Sequence, residues 1–120
     1  MKKSELRKNY MEKEMSINKA RKNLLKVTSE LKDYQVYVRC NTYQDYKCDM
    51  VTRLAVEVQD NNSLCWWGFI IASIVAPSNI MEGCKFLEDT QDIFKTMKKN
   101  TVKELERVGY ANINTEDYWE

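Results

Sequence analysis

The chain offers few groups that could run a reaction. It has no histidine, so the side chain that most often titrates near neutrality is missing, and with it any Ser-His or Cys-His nucleophile pair. Four cysteines, Cys40, Cys48, Cys65 and Cys84, stand at gaps of 8, 17 and 19 residues. None forms a CxxC knuckle, so structural zinc would have to gather four thiolates from scattered positions. Reduced, mostly buried thiols of a cytosolic protein are the simpler reading, although Cys40 and Cys48 could bridge a hairpin. Cys84 lies near a predicted helix start, where a thiol can be activated, but core packing is the simpler account of it. Glu88, Asp89 and Asp92 share a predicted helical face and could hold a hard cation, but a solvated charged face is the simpler reading. No glycine-lined phosphate cradle of the GxGxxG or GxxxxGKS/T type occurs. The expectation is a protein that is not an enzyme, with no catalytic residue, no metal and no cofactor.

Residues suited to binding are more plentiful. Residues 1–33 carry ten Lys/Arg against five Asp/Glu, within a chain whose net charge is +1. Lys19, Arg21, Lys22, Lys26 and Lys32, with Arg39 beyond them, are the set that could meet phosphates. Tyr37, Tyr43 and Tyr46 beside Arg39 and Lys47 could stack on single-stranded bases, or simply fill a sheet or a protein interface. Trp66, Trp67 and Phe69 form a concentrated aromatic block. The segment ending Asp117-Tyr118-Trp119-Glu120 is acidic and aromatic, a peptide that could dock into a basic groove.

These residues need elements to hold them. Leu6, Tyr10, Ile17, Ala20, Leu24, Val27 and Leu31 recur at three- and four-residue steps, interrupted only by Lys13. That spacing predicts one amphipathic helix over 4–32, about 28 residues and roughly 42 Å long, with Ser4 as its cap. A compact domain of this size is only ~35 Å across. The early half, Leu6 and Tyr10, is therefore expected to project and to meet a partner, a second copy of the chain included, with Lys13 as a polar register position in a coiled-coil seam.

The period then falls to two. Tyr34 to Cys40 alternates as a half-buried strand, and Met50 to Gln59 as a second, with a polar stretch between them. Asp60-Asn61-Asn62-Ser63 reads as a turn. Leu64 to Ile71 reads as a third strand, apolar on both faces, with a buried helix as the competing reading for Ile70 to Ala76. Alternation sends Trp66 and Trp67 to opposite faces, so one of them is a candidate protein anchor. A helical segment over 79–109 follows, with a possible split at Asn100-Thr101 and Gly109 at the position of a C-cap glycine. Residues 110–120 form a polar tail.

The whole predicts a single α+β domain of order α-β-β-β-α, with a three-stranded antiparallel sheet. Double-stranded RNA-binding domains share that order. However, the second helix lacks their lysine cluster, the first is too long and the charge is neutral. The basic, hydrophilic N-terminus is unlike a signal peptide, and the longest apolar run, 14 residues, is too short to span a bilayer. A soluble protein of the host-cell cytoplasm, with no membrane partner, is expected.

The Lys-, Asn-, Ile- and Tyr-rich composition with three glycines is what AT-rich phage or mobile-element genes encode. The function expected is non-enzymatic binding to a larger host protein or protein–nucleic-acid complex, as an inhibitor of a protein such as a defence nuclease. Leu6, Tyr10, Trp66, Trp67, Tyr118 and Trp119 are the expected contact residues, with self-association through the first helix. The alternative is an RNA- or DNA-binding regulator using the basic residues above.

Overall fold

Ser16 is where the N-terminal stripe breaks. Its backbone is extended (φ −64°, ψ 150°) and its hydroxyl accepts the Lys19 N–H at 3.2 Å. A helix therefore starts after it, because that contact satisfies one of the four unpaired N–H groups of a first turn. In the computed structural model, which describes residues 3–76 and 83–117 (backbone only for Lys3 and 83–87), the predicted single helix is three elements. Helix α1 spans Lys3–Tyr10, strand β1 spans Met11–Glu14 and helix α2 spans Ile17–Thr28. Ser4 lies inside α1 rather than capping it.

Strands β2 (Tyr34–Gln44), β3 (Met50–Asp60) and β4 (Trp66–Ala76) form an antiparallel meander, and helix α3 (Gly83–Arg107) follows. The fold is α+β, as the sequence predicts, but the antiparallel sheet has four strands in the order β1-β4-β3-β2. The fourth is β1, which pairs Met11 with Ile74, Lys13 with Ser73 and Glu14 with Ala72. Lys13 interrupts the helical stripe because it is a strand residue.

Both hairpin turns are built by aspartates. Asp45 accepts the Lys47 and Asp49 N–H groups at 2.9 Å each, and Asp60 accepts from the Asn62 N–H and the Ser63 hydroxyl. Those donors hold the Asp60 carboxyl below its ordinary range. The hairpin-closing residues Cys48 and Leu64 adopt φ of 67° and 58°, a left-handed conformation that is costly for leucine. Asn41 to Gln44, read from sequence as loop, continue β2.

One face of the sheet is the core. Val36, Val38 and Cys40 of β2 pair with Val58, Val56 and Leu54 of β3, and all are buried. Beneath them, α2 lies on β3, α3 on β2 and β3, and α1 between α3 and β4. Leu6, Ala20, Leu24, Phe94 and Leu105 fill the space. Helix α3 runs unbroken through the expected split, since Thr101 is buried and its hydroxyl donates to the Met97 carbonyl at 2.8 Å. It ends as expected at Gly109 (φ 111°). The Gly109 and Tyr110 N–H groups donate back to the Glu106 and Leu105 carbonyls, the paired bonds of a Schellman cap.

Residues 112–117 are not a free tail. They run beside β2, where Asn114 donates to the Val36 carbonyl and accepts from the Val38 N–H, both at 2.9 Å. Asp117 accepts from the Cys40 N–H and from Lys98 Nζ, each at 2.8 Å.

Leu6 was expected to project, yet it is 0 % exposed, because the turn into β1 folds α1 back under the sheet. Leu6→Ala should therefore cost as much as Leu24→Ala, roughly 2–5 kcal/mol each, and Leu25→Ala, on the outer side of α2, under ~0.5 kcal/mol. Urea unfolding of the three variants measures this.

Candidate functional site

Strand alternation sends the other half of each strand to the opposite, uncovered face. That face carries Tyr37, Arg39, Asn41 and Tyr43 from β2, Arg53, Glu57 and Gln59 from β3, Trp66, Gly68 and Ile70 from β4, and Lys13 from β1. The described helices pack on the other side.

At one end, three side chains stack. The Tyr37 and Trp66 rings lie 5.1 Å apart between centroids, and the Arg39 guanidinium sits 4.4 Å above Tyr37 and 5.7 Å from Trp66. Arg39 is held from below by Glu57, Nε to Oε1 at 2.9 Å, and the Tyr37 hydroxyl donates to Gln59 at 3.2 Å. Register explains the grouping: Tyr37 pairs with Glu57, and Gln59 with Trp66. A second pair repeats the motif toward the other end, where Arg53 donates to Asn41 Oδ1 at 2.8 Å and lies 5.1 Å from the Tyr43 ring.

Between the two groups is a shallow trough of about 590 Å³, bordered by Lys13, Arg39, Arg53 and Glu57, with Gly68 and Ile70 in its floor. Three cations against one carboxylate give it a local charge of +2. Gly68 keeps the floor low, since a β-carbon there would rise beside Glu57 Cγ at 3.5 Å.

Of the expected contact residues, Trp66 is the one in this cluster, 47 % exposed. Trp67 does face the opposite side, as alternation requires, and is 40 % exposed because it lies near the end of the helical cover. Leu6 is core and Tyr10 is half-buried against it. This removes the projecting surface on which helix-mediated self-association was expected. Tyr118 and Trp119 lie outside the described residues.

The basic set divides. Lys19, Lys22 and Lys26 form an exposed stripe on α2, Lys32 follows in the next turn, and Arg21 is half-buried and paired with Glu104 at 3.3 Å. Arg39 stands across the sheet from all of them. The stacking set divides too: Tyr37, Arg39 and Tyr43 share the uncovered face, while Tyr46 and Lys47 lie in the β2–β3 turn. Sequence reasoning missed Arg53, Glu57 and Lys13. Their signal was the alternation of β3, which marks Arg53 and Glu57 as face residues once Leu54 and Val56 are assigned to the core.

Asp89 turns inward and is buried while Glu88 and Asp92 remain exposed, so these carboxylates do not gather at one point. Among the described residues no three Cys, Asp or Glu side chains converge as metal ligands, and no helix is long and apolar enough to cross a membrane. Cys40, Cys48 and Cys65 are free thiols. Comparison with protein-family models, with curated proteins and with solved structures finds no match to this chain.

Burial beneath the trough pushes the Cys40 thiol up to about 12, with the Asp117 carboxylate adding to the rise. Cys48 and Cys65 are exposed, so peptide mapping after iodoacetamide at pH 8 should find them alkylated and Cys40 untouched. The native state also holds the Cys40 proton more tightly than the unfolded chain does. Stability from this source is complete below pH ~8.5 and is lost as pH rises toward 12, at up to about 1.4 kcal/mol per pH unit. Denaturant titrations across that range should show wild type losing stability faster than Cys40→Ala.

Proposed function

We propose that this chain is a non-enzymatic binding module that docks a larger protein through the uncovered sheet face, with Trp66, Tyr37 and Arg39 as its anchors. The observation that carries the reading is the stack itself. Tryptophan, tyrosine and arginine are the residue types that dominate interface energetics. Here they are pre-ordered on rigid strands by Glu57 and Gln59, so little side-chain entropy remains to be lost on docking. Covering the exposed half of Trp66, on the order of 100 Å², is worth roughly 2.5 kcal/mol by area.

The partner's chemistry follows from the trough. A rim of net charge +2 calls for a carboxylate- or carbonyl-rich protein surface, and it does not imitate nucleic acid. A mobile-element inhibitor of a host defence protein fits this description if it seizes an acidic patch rather than a nucleic-acid cleft. The free, buried thiol of Cys40 suits the reducing cytoplasm of a host cell.

One observation favours a second reading. The same cations and rings would suit single-stranded RNA or DNA, with bases stacked on Trp66 and Tyr37 and phosphates near Arg53 and Lys13. The two readings separate by the steepness of the salt dependence, because multiple phosphate contacts weaken steeply between 50 and 200 mM while an interface anchored on Trp66, with a net charge of only +2 beside it, weakens less.

Affinity capture from host lysate, followed by binding measurements with the captured protein, tests the proposal. Trp66→Ala and Arg39→Ala should each weaken binding by roughly 10- to 30-fold, and Lys22→Ala/Lys26→Ala on α2 should leave it unchanged. A partner that tolerates both sheet-face variants binds elsewhere and overturns the reading. Oligonucleotide binding that is strong at 50 mM salt and lost at 200 mM favours the second reading instead.

A further inference from the structure

The sheet has two edges and three stretches of edge backbone, of which one has no cover among the described residues. Along β2 the edge is covered by Asn114 and Asp117. At the other side the outer strand is β1, four residues long, with the sequence Met-Glu-Lys-Glu. Short edges and charged edges are the usual defences against pairing with another chain. However, β1 reaches only Ala72–Ile74, plus one bond from the Met15 N–H to the Ile71 carbonyl. Trp66 to Ile70 therefore has β3 on one side and, among the described residues, no strand on the other. This stretch reads Trp-Trp-Gly-Phe-Ile, without a charge or a proline.

We propose that a second copy of this chain adds to the free half of β4, pairing antiparallel across a two-fold axis at Gly68. The sequence is self-complementary about that residue. Trp67 would face Phe69 of the other copy on the helix side, and Trp66 would face Ile70 on the uncovered side. Aromatic–aromatic and aromatic–β-branched pairs are the favoured cross-strand partners, and an isologous pairing closes as a dimer instead of growing into a fibre. Trp66 and Trp67 are 47 % and 40 % exposed, so the surface available is a few hundred Å² per copy, less than the ~800 Å² of a tight interface. The dimer is accordingly a micromolar one. Its two uncovered faces join into one eight-stranded surface, with a Trp66–Tyr37–Arg39 stack on each side of the axis.

Light scattering after gel filtration at a series of concentrations, combined with site-directed cross-linking, tests the pairing. Wild type should move from 14.3 kDa to twice that mass as concentration rises through the micromolar range. Trp67→Lys should shift the midpoint at least ten-fold upward, with circular dichroism reporting that the fold is retained. In a Cys48→Ser/Cys65→Ser/Cys84→Ser background, Gly68→Cys should be joined rapidly by a short bis-maleimide. Ser73→Cys, five residues further from the axis, should not. The space around Gly68 admits a β-carbon, so this variant folds. A strict monomer at 100 µM overturns the proposal. So does a dimer that Gly68→Cys fails to cross-link, or a free edge filled only by a strand from another protein.

Discussion

Met11 to Glu14 lie against Ala72 to Ile74, and most of the molecule's arrangement depends on that short contact. It ends α1 at Tyr10, reverses the chain and returns it to Ser16, where α2 begins. Without the pairing, the N-terminal residues could run on as one helix, and α1 would have no route beneath β4. With it, Leu6 enters the core between α3 and the sheet. The contact is also short enough to leave the rest of β4 open. The same four residues thus complete the hydrophobic layer and define which stretch of sheet edge stays available.

The uncovered face follows from the alternation that builds the core. Along most of β2 and β3, each buried residue is flanked by two that point away from the helices. Those positions hold arginine, tyrosine, asparagine and glutamate, arranged in cross-strand pairs that satisfy one another. Arg39 with Glu57 and Arg53 with Asn41 are both bonded across the strands. Such bonding fixes the long side chains over the rings instead of leaving them free in solvent. A face organised in this way costs little further ordering when a partner arrives.

The strand pattern and the end of the last helix were legible because they are local. The period-two runs from Tyr34 and from Met50, the Asp60 turn, the opposed faces of Trp66 and Trp67, and the glycine at 109 all express nearest-neighbour physics. What could not be read was decided by distant partners. Met-Glu-Lys-Glu consists of good helix formers, and only its pairing with β4 makes it a strand, a tertiary override of propensity. Leu6 reads the same whether it projects or is buried. The docking of Asn114 and Asp117 leaves no periodic trace, since it rests on two backbone bonds and one carboxylate. At the candidate site, Trp66 and Arg39 were readable as residue types. Their meeting depends on a register between β2, β3 and β4 that composition does not encode.

Asp117 reaches Cys40 from 77 residues further along the chain, and this gives the sheet an order of completion. The β2–β3–β4 meander needs only neighbouring hairpins and can assemble while synthesis continues. Met11 to Glu14 must wait for β4, some 60 residues later, before they have anything to pair with. The outer side of β2 must wait until residue 117 has left the ribosome. During that interval an apolar three-stranded sheet stands open at both margins. Its persistence in the cell depends on how quickly Asn114 and Asp117 arrive to cover β2.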